Sequence, residues 1–150
     1  MALEKITNYI DISDRIASSG QPEEMQFKDI AQAGYEVIIN LAMPNSENII
    51  PEEGYVVAAL KMKYIHIPVP FEAPTSEHLN DFISIMKAFK EKKVWVHCVV
   101  NYRASAFLYL YMLLVENATI EEASKVILKT WKPNNIWKNF MGIANNQKSL

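Results

Sequence analysis

The chain has 150 residues, 50% of them hydrophobic and 21% charged, a balance that supports a buried core and excludes disordered, collagen-like and low-complexity classes. Fifteen Lys and Arg against seventeen Asp and Glu leave a net charge of −2, so no basic excess is available to hold nucleic acid or an anionic membrane surface. The opening MALEKITNYI lacks the apolar stretch of a secretory signal, and the longest apolar run, Ala106 to Val115, is too short to span a bilayer. The expectation is one soluble, cytoplasmic domain over residues 1–150.

A weakly alternating opening segment (Ile6, Tyr9, Ile10, Ile12, Ile16) runs into SSGQPEE, where Gly20 turns the chain and Pro22, Glu23 and Glu24 make a helix start. The first helix is predicted to run through Lys28 to Ala33 with Gly34 as its C-cap. Tyr35 to Ala42, containing VIINLA, is short, β-branched and bounded by Gly34 and Pro44, which predicts a buried strand. Pro51, Glu52 and Glu53 predict a second helix, and YIHIPV, Tyr64 to Val69, a second buried strand. Leu79, Phe82, Ile83, Met86 and Phe89 then recur at helical spacing. VWVHC, Val94 to Cys98, predicts a third buried strand. The following helix, Arg103 to Glu116, carries no charge between its ends and is therefore expected inside the protein. Thr119 with Glu122 forms a capping-box pattern for a helix ending before Pro133, and a last helix is expected around Asn135 to Asn146. Strands alternating with helices imply an α/β domain with a parallel sheet covered on both faces.

In such sheets ligands bind beyond the carboxyl ends of the strands, which singles out the loops after Leu41, Val69 and His97. One cysteine, Cys98, excludes an internal disulfide, a CxxC redox pair and a multi-cysteine zinc site. His66, His78 and His97 show no metal-ligand spacing, so neither metal nor other cofactor is expected. Cys98 stands where a strand turns into a buried helix, and the N–H groups of such a turn form an anion nest that favours a thiolate, the nucleophilic form. Arg103, five positions on, adds a planar two-pronged cation suited to phosphoryl or sulfonyl oxygens.

His97, Cys98 and Arg103 in HCVVNYRAS resemble the signature of the cysteine-dependent protein tyrosine and dual-specificity phosphatases. With ISDRIASSGQP, VIINLAMP, YIHIPV and the APT loop, the chain resembles the small bacterial phosphatase-like domain also found fused to beta-lactamase-like hydrolases. The resemblance implies a parallel-dominated sheet flanked by helices, with the active loop between a central strand and a buried helix. It further implies that Asn40 braces that loop and that His97 orients Cys98. The backbone amides of Val99, Val100, Asn101, Tyr102 and Ala104, with Arg103, are then expected to bind a phosphorylated substrate or other small oxyanion.

The pattern also departs from the family. Phosphatases of this type place five residues between Cys and Arg, with a Gly among them and Ser or Thr after the Arg. This chain has four, no Gly, and Ala104 after Arg103. Asn101 stands in the glycine's place, and Asn is the residue other than Gly that best accepts a left-handed conformation. Ser105 is the nearest hydroxyl to replace the missing Ser or Thr. The aspartate expected to protonate the leaving group is absent; Glu72, in the loop after the second buried strand, is the candidate by position. The leading expectation is a phosphatase hydrolysing phosphate monoesters through a phosphocysteine. The short loop also matches rhodanese-like sulfurtransferases, in which Cys98 would carry a persulfide, and the missing glycine and aspartate suit a non-catalytic phosphate-binding module.

Overall fold

The computed structural model describes residues 2–148, with side chains to Gly142. Five strands form the sheet: β1 (Ile10–Asp11), β2 (Ile16–Ser19), β3 (Val37–Asn40), β4 (Lys63–His66) and β5 (Val94–His97), in the order β1-β2-β5-β3-β4. Only the β1–β2 pair is antiparallel; β5 lies at the centre between β2 and β3, all parallel. The helices are α1 (Gln26–Gln32), α2 (Glu53–Ala59), α3 (Ser76–Ala88), α4 (Tyr102–Leu114), α5 (Ile120–Ser124) and α6 (Asn135–Lys148). This is the α/β architecture expected, with a parallel-dominated sheet flanked by helices.

Strand side chains alternate between two cores, as a pleat covered on both faces requires. Ile16, Val37, Ile39, Val94 and Val96 join the larger core with Phe82, Phe107 and Trp137, while Ala17, Ile38 and Trp95 join Phe27, Ile30 and Val57 on the other face. Helix α4 lies in the larger core, with every residue from Arg103 to Tyr111 buried, matching its uncharged sequence. No helix among the described residues is long and apolar enough to cross a membrane.

Several local expectations are corrected. The first helix begins at Gln26 rather than at Pro22, because Gly20 and Gln21 are held against the β5–α4 turn and the chain must clear it before coiling. Its C-cap is Ala33, with Gly34 one residue beyond at φ +96°. The weakly alternating start contains the antiparallel β1–β2 ribbon. Thr119 and Glu122 do form a capping box, but α5 stops at Ser124, far short of Pro133. Only Ala123 in it is buried, too little apolar burial to extend the helix. Helix α3 carries a second capping box, between Thr75 and His78, which accounts for that histidine.

Candidate active site

The central strand β5 ends at His97, Cys98–Asn101 make the turn, and α4 begins at Tyr102. Asn101 adopts the left-handed conformation expected of it, φ 71° and ψ 17°, and its side-chain amide donates to Asn8 O (2.8 Å) and Ser18 Oγ (3.0 Å). The turn is defined by where its carbonyls go. Cys98 O faces His97 Nδ1 at 3.1 Å, Val99 O accepts from Gln21 N at 2.9 Å, Val100 O accepts from Asn8 Nδ2 at 2.9 Å, and Asn101 O accepts from Ser105 N at 3.3 Å. Four consecutive carbonyls are thus engaged, and the N–H groups of Val99 to Ala104 donate to no backbone carbonyl or side chain among the described residues. Unengaged N–H groups at the head of a 13-residue helix, on a peptide chain whose oxygens are tied elsewhere, form an anion cradle. Gly20 is needed for this: a Cβ there would meet Val99 O at 2.5 Å and Val100 Cα at 3.1 Å.

Beside the cradle lies a cleft of about 660 Å³, whose lining includes Val99, Val100, Tyr102, Arg103, Phe71 and Glu72. Arg103 is 6% exposed; its Nη1 donates to Val69 O (2.9 Å), its guanidinium lies over the Phe71 ring (5.8 Å), and its buried Nε has no partner. Tyr102 stacks on Trp131 (4.9 Å) and Trp137 Nε1 donates to Phe71 O (2.9 Å), so the aromatic wall is held from behind. Glu72 is exposed on the cleft, in the loop beyond β4. Cys98 itself is fully buried at the end of β5, where it packs in the larger core and is not among the residues that line the cleft.

Behind the cradle is a buried chain that the sequence reading missed. Glu53, read there only as a helix-start residue, is 2% exposed; its Oε2 lies 2.6 Å from His97 Nε2 and its Oε1 accepts from Gln21 Nε2 at 2.8 Å. Asn8 and Gln21, which hold the carbonyls, were missed as well. The signal available was slight: Gln21 follows the glycine of SSGQP, and an acidic residue in a first helical turn looks ordinary until its burial is known. Two expected supports lie elsewhere. Asn40 Nδ2 donates to Tyr64 Oη (2.9 Å) and its Oδ1 accepts from Ala42 N (2.9 Å), so it shapes the turn after β3 instead of bracing the Cys98 loop directly. Ser105 Oγ donates to Tyr102 O (3.3 Å) and accepts from Leu128 N (3.4 Å); one residue further along α4 than the missing hydroxyl, it serves the α5–α6 connection rather than the thiol. Tyr64 has its hydroxyl pushed up to about 12, chiefly by burial, with the Asn40 hydrogen bond opposing and the Glu53 charge adding to the shift.

Comparison with known proteins agrees with this fold. A family model described as a DSP-PTPase phosphatase fused to NAD+ kinase matches residues 7–141. The chain is 33% identical to a DUF442 candidate phosphatase of known structure from Shewanella putrefaciens CN-32, with a TM-score of 0.87 over 97% of this chain and 96% of that one. It shares the fold of the catalytic domain of the PP-IP phosphatase SIW14 from S. cerevisiae, with a TM-score of 0.73 at 14% identity, covering 96% and 89% of the two chains. A beta-lactamase hydrolase-like protein of Xylella fastidiosa (strain Temecula1) is 35% identical over 107 residues, 69% of this chain and 24% of that protein. The chain therefore spans about a quarter of the length of the curated relatives it matches. By the match over residues 7–141 and the likeness of fold, the chain belongs to the family of DSP-PTPase phosphatases described as fused to NAD+ kinase.

Proposed function

We propose that the protein is a cysteine-dependent phosphatase that hydrolyses phosphate monoesters. The single observation that carries the reading is the cradle: four loop carbonyls engaged, the N–H groups of residues 99–104 unengaged, and the Arg103 guanidinium with a free Nε at the same cleft. Three non-bridging phosphoryl oxygens need just such a ring of donors fixed before substrate arrives, which is what stabilises the charge spread over them in the transition state. In the first step the Cys98 thiolate forms an S–P bond as the ester P–O bond breaks, and Glu72 delivers its proton to the departing oxygen. In the second, water forms a P–O bond, the S–P bond breaks to return the thiolate, and Glu72 takes the water's proton. The products are an alcohol and inorganic phosphate.

Hydrolysis of para-nitrophenyl phosphate from pH 5 to 8, wild type beside Cys98→Ser and Arg103→Ala, tests the reading. Turnover that disappears in Cys98→Ser and falls at least about 100-fold in Arg103→Ala is expected. Wild-type turnover retained in Cys98→Ser, or none in the wild type, ends it.

A further inference from the structure

We propose that Glu53 is the positioning residue of this site, setting the orientation of the Cys98 loop through two hydrogen-bonded arms. The inference rests on the phosphatase reading for its consequence in turnover, but not for its geometry. One arm runs from Glu53 Oε2 to His97 Nε2 (2.6 Å) and from His97 Nδ1 to Cys98 O (3.1 Å). The other runs from Glu53 Oε1 to the side chain of Gln21 (2.8 Å), whose own backbone N–H holds Val99 O (2.9 Å). A single carboxylate thus determines the direction of two consecutive loop carbonyls, and with them the peptide planes that carry the N–H groups of Val99 and Val100.

Three features separate this from ordinary core packing. Glu53 and His97 are 2% and 0% exposed, and a buried carboxylate is costly where an apolar side chain would fill the same space. Among the described residues its salt-bridge partner is His97 alone, with no lysine or arginine to share the charge. The proton arrangement is also directional. An Nδ1 facing a carbonyl oxygen must carry a proton, and a second proton must then lie between Nε2 and Oε2, whichever atom holds it. Glu53 therefore keeps the imidazole in the form that donates to Cys98 O; without it, Nε2–H with a bare Nδ1 becomes the competing tautomer, and lone pairs oppose each other at the loop.

The test compares Glu53→Leu with Glu53→Gln. A glutamine can donate to His97 Nε2 and accept from Gln21, so it keeps both arms without the carboxylate; leucine fills the space and keeps neither. Below the melting temperature of each variant, kcat/KM for para-nitrophenyl phosphate is expected to fall about 100-fold in Glu53→Leu and no more than about fivefold in Glu53→Gln, the scale set by small misplacement of reacting groups. Inorganic phosphate, followed through the backbone amide resonances of residues 99–104, is expected to bind about tenfold more weakly to Glu53→Leu and as in the wild type to Glu53→Gln. A Glu53→Leu protein that retains turnover and phosphate binding overturns the proposal, as does a Glu53→Gln protein as impaired as the leucine variant, which would make the charge and not the orientation the essential property. Should Glu53→Leu not fold, Gln21→Leu cuts the second arm alone; a loss of about tenfold in kcat/KM supports the proposal and no loss overturns it. A wild type without turnover, with the phosphate pattern intact, ends the phosphatase reading while supporting the positioning role; loss of that pattern ends both.

Discussion

Asn101 does two jobs that different residues would normally divide. Its backbone takes the left-handed conformation that lets β5 turn into α4, and its side chain ties the turn to Asn8 and Ser18. Replacement by Val forfeits both, so a loss of about 2–3 kcal/mol is expected in urea denaturation, with Asn101→Gly less affected because φ remains accessible. Glu72 is exposed and lines the cleft, so Glu72→Gln is expected to leave stability unchanged. Under the proposed role of proton donor to the leaving group, its loss should lower kcat about 100-fold or more on alkyl phosphates and far less on para-nitrophenyl phosphate, whose leaving group needs no proton. Equal losses on both substrates would remove that role. At this scale the candidate site was partly legible in the sequence: Cys98, Asn101, Arg103 and Glu72 stand out by residue type and spacing, Asn101 takes the left-handed turn, and Arg103 and Glu72 line one cleft. Glu53, Gln21 and Asn8 do not, because their importance lies in burial and in contacts up to 93 positions away.

Elements were read best where a long apolar pattern left no alternative. The helices at Ser76–Ala88 and Tyr102–Leu114 and the strand Val94–His97 fall where their patterns predicted. The reading failed where tertiary contact overrides a local signal, as at Pro22, or where a good cap is followed by too little buried surface, as at α5. The buried α4 should be correspondingly sensitive. Phe107 packs on Phe82 (5.6 Å) and Phe140 (5.4 Å), and Phe107→Ala is expected to cost about 3–5 kcal/mol in a denaturant titration. On the other face pack Tyr35, just before β3, and Tyr64, in β4, each with its hydroxyl pushed up to about 12, foremost by burial. In the unfolded chain these groups lose their protons near pH 10, so between about pH 10 and 12 the native state binds more protons and stability falls as pH rises. Melting temperatures measured from pH 8 to 12 should decline above pH 10, and the double variant Tyr35→Phe, Tyr64→Phe should flatten the decline.

Across the whole molecule the cradle draws on segments far apart in sequence. The opening stretch supplies Asn8, the β2–α1 connection Gln21, α2 the carboxylate, and the central strand the loop itself. The sheet order explains why this convergence is possible: β5 lies between β2 and β3, so the segments leaving those neighbours flank the turn that follows β5. Alternating strands and helices announce such a sheet, but strand order is set by pairing energies spread over many residues, which no local pattern displays. The aromatic packing gives this assembly an optical signature. Trp95, Trp131 and Trp137 are all buried, and Trp131 lies ring to ring with Tyr102, the residue between Asn101 and Arg103. A chiral, closely stacked tyrosine–tryptophan pair at the edge of the loop should contribute near-ultraviolet circular dichroism that changes when an oxyanion enters. Occupancy can then be followed spectroscopically in the unlabelled protein, with Trp131→Phe as the variant in which that signal is lost.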